Sequence, residues 1–472
     1  MSILPPSSLR IARHEIVTAW RDGRFLAATV VVLLLLALAL TAGVGRYREM
    51  RTQRDAATRE TYAQWVAQPA KNPHSAAHYG VYAFKPTFVT SLVDPGVDAF
   101  AGVAAFLEPH KQNDFSFRPA QDAGGAARFG ELSVAMVLQL LVPLLIVTQA
   151  FGAIAGERES GTLRQVLASG TSRRAFAVGK LLGVGGTLSM VLAPAAAMGG
   201  VALAAAGTDA NIATSVPRLA GLALAYLAYL AVWLLLGLTV SAWSRTSRFA
   251  LALLLACWGV GTLVVPRVSV DLARAWHPTP SSLEFEQRVA QDIAAHPDVA
   301  KQTERRVLAK YGVSRLEELP VSFAGLELSA AEANTTEVYE RRMNEIRDAF
   351  ERQNGLQRLL GVVDPLLALR SLSMGLAGTD YAHLRNFAAA AEAYRQLFVG
   401  MMNDDMTEHG KGRDFGYVAA SDLWARVPPF VYTPPGTLDV LRDQTLSLGT
   451  LAAWLAVAAA AFVRATNRLG IA

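Results

Sequence analysis

Enzymatic chemistry needs particular side chains at particular spacings, and this sequence offers mainly near misses. A P-loop requires G-x-x-x-x-G-K-S/T, so that backbone amides cradle phosphates. Gly179-Lys180 is followed by Leu181 and has Arg174 at the place of the first glycine, while Gly410-Lys411 is followed by Gly412. Neither fits, so the chain is not expected to hydrolyse ATP or to be an enzyme. His14-Glu15 has Thr18 where a zinc-protease helix needs its second histidine. His74 and His78 stand four apart and can share a helix face, but the Ser-Ala-Ala between them adds no ligand. They read as surface histidines. Asp404-Asp405 with Glu408 reads as a solvated acidic turn, and no G-x-S-x-G occurs. The single cysteine, Cys257, lies in an apolar run, which excludes an internal disulfide or a cysteine metal centre. The expectation is no catalytic residue, no cofactor site and no metal site.

The elements around these residues are strongly hydrophobic. Of 472 residues, 52% are hydrophobic and 18% charged, against about 25% charged in an average soluble chain. The apolar residues are clumped, and a helix crossing a bilayer needs about 20 of them in a row. Six segments qualify: 25–45, 131–154, 181–206, 219–243, 249–266 and 446–463. Arg10, Arg13, Arg21 and Arg24 resemble the basic start of a signal peptide. The apolar run after them is long, however, and no A-x-A site precedes Arg46, so an uncleaved anchor is expected. Inside the spans only weakly polar groups occur: Gln139, Thr148, Thr187, Ser189, Tyr226, Tyr229 and Thr239. Ion-coupled transporters place charge there, so an ion gradient has no obvious point of action.

Six spans put both termini on one side, and the positive-inside rule tests that arrangement. The short segments of that side carry Arg10, Arg13, Arg21 and Arg24, then Arg158, Arg164, Arg173, Arg174 and Lys180, then Arg245 and Arg248, then Arg464 and Arg468. The short connection on the other side, 207–218, has only Arg218. The expected location is a bacterial inner membrane, multi-pass, with both termini cytoplasmic. A net charge of +5 is explained by these flanks, and no nucleic-acid partner is expected.

Two long segments then lie outside, 46–130 and 267–445. The first begins with a charged stretch free of Gly and Pro, Arg46 to Gln68, which should continue the first helix into water. Thereafter Pro and Gly break it into short pieces. The second reads as mainly helical, over Leu283–Ile293, Val299–Tyr311, Ala330–Leu360 and Asp380–Met402. Ser329 with Glu332 reads as a capping box, and Gly355 as an interruption. Val427-Pro428-Pro429 and Pro434-Pro435 must be extended. The fold class is therefore an all-α integral membrane protein with six transmembrane helices and two extracytoplasmic segments, the larger mainly helical.

The most informative stretch is the loop 155–180. It reads Glu157-Arg158-Glu159-Ser160-Gly161-Thr162-Leu163, then a short helix with Leu163, Val166 and Leu167 on one face, then Ser172-Arg173-Arg174 and Gly179-Lys180-Leu181-Leu182-Gly183. Thr162 and Ser172 are candidate helix caps. The apolar stripe suits either a partner's groove or the chain's own body and headgroups. The pattern E-R-E-x-G-T-L, short helix, S-R-R, G-K-L-L-G resembles the ABC-2 type transporter permeases, with Gly170 near a place where that family commonly has proline. The resemblance implies a coupling helix resting on a nucleotide-binding subunit, with Glu157, Arg158, Glu159, Gly161, Thr162, Leu163, Val166 and Leu167 at the contact. Residues 8–22 are similar to the interfacial helix of those permeases, with Leu9, Ala12, Ile16, Ala19 and Trp20 on its membrane face. The insert 267–445, with its proline-rich return, resembles the DUF3526 branch, related to gliding-motility and copper-maturation permeases.

The resemblance implies a permease subunit, an exporter by expectation, driven by a cytoplasmic ABC ATPase dimer that holds the ATP and Mg. Its other expected partners are a second permease, identical or similar, and membrane lipids. The alternative is a mechanical subunit that passes ATPase motion to an envelope partner through 267–445 and translocates nothing. No residue identifies a substrate.

Overall fold

The computed structural model describes residues 6–116, 132–207, 212–296 and 298–469. Parts of the expected segments lie outside the described residues: 1–5, 117–131, 208–211, 297 and 470–472. The first helix, α1 (Pro6–Arg21), stops at Asp22, whose side chain accepts from the amide of Arg24 and caps α2 (Gly23–Val66). At 1.5 Å per residue α2 is about 65 Å long, roughly twice the hydrocarbon thickness. Its charged second half therefore stands clear of any bilayer, as the charge-rich Arg46–Gln68 stretch implied. There follow α3 (Pro73–Ala77) and three strands, β1 (Val81–Phe84), β2 (Ala104–Glu108) and β3 (Lys111–Ser116). They pair antiparallel in the order β1-β2-β3. This sheet corrects the all-α expectation. Its strands have four to six residues, too few for a two-residue alternation to stand out among Pro and Gly.

Next come α4 (Val134–Glu159), α5 (Thr162–Ala168), α6 (Arg173–Ala206), α7 (Ile212–Trp243) and α8 (Ser247–Trp276). After the lobe helices described below, the chain closes with α16 (Thr445–Asn467). Among the described residues six helices, α2, α4, α6, α7, α8 and α16, are long and apolar enough to cross a membrane, so the chain is a multi-pass membrane protein. Each overlaps one of the expected spans and extends past it at one end or both, although α4 begins at Val134 rather than at 131. Ile146 and Val147 of α4 and Tyr229, Val232 and Leu238 of α7 are buried in one continuous core. A Cβ on Gly237 of α7 would come within 2.7 Å of the Ala150 Cβ, so glycine sets that approach. Val30, Val31 and Leu34 of α2 and Phe249 and Leu263 of α8 face outward, as lipid-facing residues do. Two of the six helices contain a wide π-turn, Val137–Leu141 and Val260–Val264. Each lies two residues ahead of a proline, Pro143 or Pro266, where a regular turn would set the ring against the carbonyl four residues back.

The lobe beyond the bundle is made from the far half of α2, the sheet, and α9 (Ser282–Ala294), α10 (Val299–Tyr311), α11 (Phe323–Leu360), α12 (Pro365–Ala377), α13 (Tyr381–His409), α14 (Asp422–Arg426) and α15 (Thr437–Asp443). Four expectations change here. Helix α11 starts at Phe323, so Ser329 is not a cap; its hydroxyl donates to the Gly325 carbonyl inside the helix. Gly355 leaves α11 unbroken. Helix α13, capped by Asp380, runs past the expected Met402 to His409. Asp404, Asp405 and Glu408 therefore lie on a helix rather than a turn, with Asp405 accepting from the Tyr417 hydroxyl at 3.0 Å. The return 427–436 is extended, and its carbonyls are taken up by tyrosines: Tyr62 donates to Val427 and Tyr394 to Pro428. Trp65 and Trp424 are fully buried; the Trp65 indole donates to the Trp424 carbonyl and the Trp424 indole to the Gln68 carbonyl. They clamp the far end of α2 to the return.

Candidate functional site

The loop between α4 and α6 begins where α4 loosens at residues 151–154. Ser241 of α7 fills the gap: its hydroxyl accepts from the amides of Ile154 and Ala155 and donates to the Phe151 carbonyl. That fixes the direction of the next three side chains. Glu157 points to α6 and pairs with Lys180 at 2.6 Å. Arg158 points to α7 and donates to the carbonyls of Ala242 and Ser244, which the helix end leaves without internal partners. Glu159 points to α8 and accepts from the Ser247 hydroxyl at 2.5 Å, an acid at a helix N-terminus. Three consecutive residues thus tie the loop to three long helices.

Gly161 turns the chain in the left-handed region, φ +76°, and occupies the cap position of α5. Thr162 is therefore the first residue of α5 and not its cap; its hydroxyl donates back to the Glu157 carboxylate. Leu163 is buried, and Val166 and Leu167 are partly buried against the bundle core. The apolar stripe is thus used inside the chain, and the other side of α5, with Gln165 and Ala168, faces out. Gly170 ends the short helix at φ +89°, and Ser172 caps α6 by accepting from the Ala175 amide, as expected.

Lys180 is the hub of this region. It is 2% exposed, lies over the Phe176 ring, and its second partner is Glu15 of α1 at 2.7 Å. Contact between α1 and α6 depends on a glycine stripe. Added Cβ atoms at Gly179, Gly183 and Gly186 would meet Ile11 at 2.7 Å, Glu15 at 2.5 Å and Ile16 at 2.8 Å. The expected apolar face of α1 divides: Ala12 and Ala19 are buried and Ile16 sits against Gly186 of α6, whereas Leu9 is 51% and Trp20 61% exposed. Glu15 and the glycines were missed from sequence, although Gly179-x-x-x-Gly183-x-x-Gly186 is a legible small-residue signal for a helix seated closely on another.

A second polar cluster lies where the bundle meets the lobe. Gln139, in the π-turn of α4, donates to the Tyr226 hydroxyl and accepts from Arg370 of α12. Ser373 donates to Asp94 at 2.6 Å, so Tyr226 donates to Ser373. Tyr229 donates to the Gln139 carbonyl. Burial pushes the Asp94 carboxyl up from its ordinary range. The spans carry no charge at this level, as read from sequence; Asp94 and Arg370 come to it from outside the six helices. The cluster borders a cavity of about 580 Å³ lined by Asp94, Gln139, Pro266, Ser269, Arg358 and Arg370, among others. Thr148, Thr187, Ser189 and Thr239 take no part, since each donates to a carbonyl of its own helix. Arg218, the lone basic residue of its connection, is buried and donates to the Pro435 carbonyl of the return.

Comparison with known proteins reaches the lobe alone. No curated protein matches the chain. Residues 282–433, from the start of α9 into the proline-rich return, match the model of a domain of unknown function, DUF3526.

Proposed function

We propose that this chain is the permease subunit of an ABC-type transporter, driven by a separate ATPase that docks at the α5 end. The observation that carries this reading is the Glu157-Arg158-Glu159 segment, which links the loop directly to α6, α7 and α8 and, through Lys180, to α1. Force applied to α5 reaches all four helices through short polar contacts. ATP and its magnesium belong to the partner. By the inside-positive argument this end is cytoplasmic, at the inner face of a bacterial inner membrane. Outward apolar faces on α2 and α8 supply surface for lipid and for a second permease, identical or similar. The direction is export, with the cavity beside Asp94 and Arg370 on the outer side of the path.

The docking face is the exposed side of α5, so its test leaves Leu163 in place. The double substitution Gln165→Arg with Ala168→Trp should abolish co-purification with the partner ABC ATPase, while the permease still elutes as a folded protein. Undiminished binding and ATPase stimulation would remove the docking assignment.

A mechanical role is the second reading, favoured by the continuity of α2 from the α1 junction to the Trp65–Trp424 clamp. A sealed interface between two permeases in the assembled complex supports that role, and a continuous cavity supports transport.

A further inference from the structure

The histidine pair that sequence left without a third ligand has one. We propose that His74, His78 and His110 bind a divalent transition-metal ion of the zinc class, with three imidazole ligands and one open position. The ligand nitrogens all lie within 4.8 Å of one another. His74 Nε2 and His78 Nε2 are 3.2 Å apart, close to the edge of about 3.4 Å that tetrahedral zinc with bonds of 2.0–2.1 Å would impose.

Each ligand is held by its own surroundings. Asn72 caps α3 by accepting from the His74 amide, and its amide group donates to the Phe415 and Tyr417 carbonyls. The preceding Lys71 carbonyl accepts from Ala419. The short helix that sets His74 one turn before His78 is thereby pinned from outside. His110 is at the tip of the β2–β3 hairpin, between Glu108 and Lys111, with φ +68°. A non-glycine residue in that region carries strain that the surroundings must hold. Glu332 of α11 does so, accepting from the His110 amide at 2.7 Å and meeting its Nδ1 at 2.6 Å. With Nδ1 engaged, Nε2 is the nitrogen left for a metal. A carboxylate on the far ring nitrogen is the partner that metal-binding histidines commonly have, since it fixes the ring and its tautomer. Glu332 is itself held by Arg395 at 3.1 Å.

A simple hydrogen bond between His74 and His78 would account for their separation, but not for a third ring presented by a strained turn and oriented by a buried acid. The donor set selects the ion. Three imidazoles suit Zn²⁺, Cu²⁺ or Ni²⁺; without thiolate there is no preference for Cu⁺, and without an oxygen cage none for Ca²⁺ or Mg²⁺. His78 is exposed, so solvent reaches the open position. Occupancy would join α3, the hairpin and α11 in one unit.

The test uses the full chain in detergent, purified without a polyhistidine tag and titrated with Co²⁺ while visible absorption is recorded. One equivalent of Co²⁺ should produce ligand-field bands, and Zn²⁺ should remove them. His78→Ala alters an exposed side chain. His110→Gly removes the imidazole while keeping a residue that accepts positive φ. Each should weaken binding at least as much as the roughly 10- to 100-fold typical of losing an outer partner. The absence of a stoichiometric spectrum in the wild type, or Co²⁺ affinity in both variants equal to that of the wild type, would overturn the site. The result does not depend on whether the chain is a permease.

Discussion

Two buried cations, one at each end of the molecule, share a plan and differ in construction. Lys180 joins Glu15 of α1 and Glu157 of α4. Arg395 of α13 joins Glu332 of α11 and Glu392 of its own helix, and also donates to Thr336 and the Glu108 carbonyl. The lysine is a point charge on a flexible stem, whereas the arginine is a planar fork whose donors are directed by geometry. Burial works to raise the Glu332 carboxyl, but His110 and Arg395 together hold it below the ordinary range. Exposure separates the two sites further. The acids around Lys180 are 18% and 22% exposed, and those around Arg395 are 10% and 8%. Around Arg395 no acid can turn to water, so the site is a brace. Around Lys180 each acid touches solvent, so either one can let go without itself being stranded while the other keeps the ammonium paired. A joint that must yield to a partner suits the second construction.

Four substitutions would break or sharpen that contrast. Arg395→Met should have the largest effect, about 3–5 kcal/mol, because it takes the shared cation from two buried carboxylates; thermal unfolding in detergent should show it. Arg395→Lys should recover less than half, since one ammonium cannot replace the fork. Lys180→Met should cost less, about 1–3 kcal/mol, and act locally: hydrogen exchange should rise across α1 and stay unchanged in the lobe. If α1 remains protected, Lys180 is not the joint described. Gly183→Ala should be smallest, about 1–2 kcal/mol from overpacking against Glu15, with exchange increased in α1 alone. A global loss of stability would show that the α1 contact is part of the bundle core.

The six spans were legible because an apolar run of bilayer length has few other uses. Ser172 was legible as a cap because its partner lies three residues away. Helix α12 was missed: its 13 residues are too short for a span, and only burial against α7 and α16 explains its composition. Glu332 shows why local motifs mislead. Its spacing from Ser329 matched a capping box, yet the helix had already begun, and the acid serves His110 and Arg395 instead. Lys180 likewise carried no signal of its role, since Glu15 lies 165 residues away in the chain. The relation of His110 to His74 and His78 depends on a hairpin whose strands gave no periodic signal.

Helix α2 has a geometric consequence of its own. One residue, Asp22, separates it from α1, and its far end is held by two tryptophans. An arm about 65 Å long with no hinge converts angle into distance. A tilt of about 5° near Asp22 moves the Trp65 end by about 6 Å, roughly one helical turn. The lobe would thus register as a displacement what the α1 junction experiences as a small rotation.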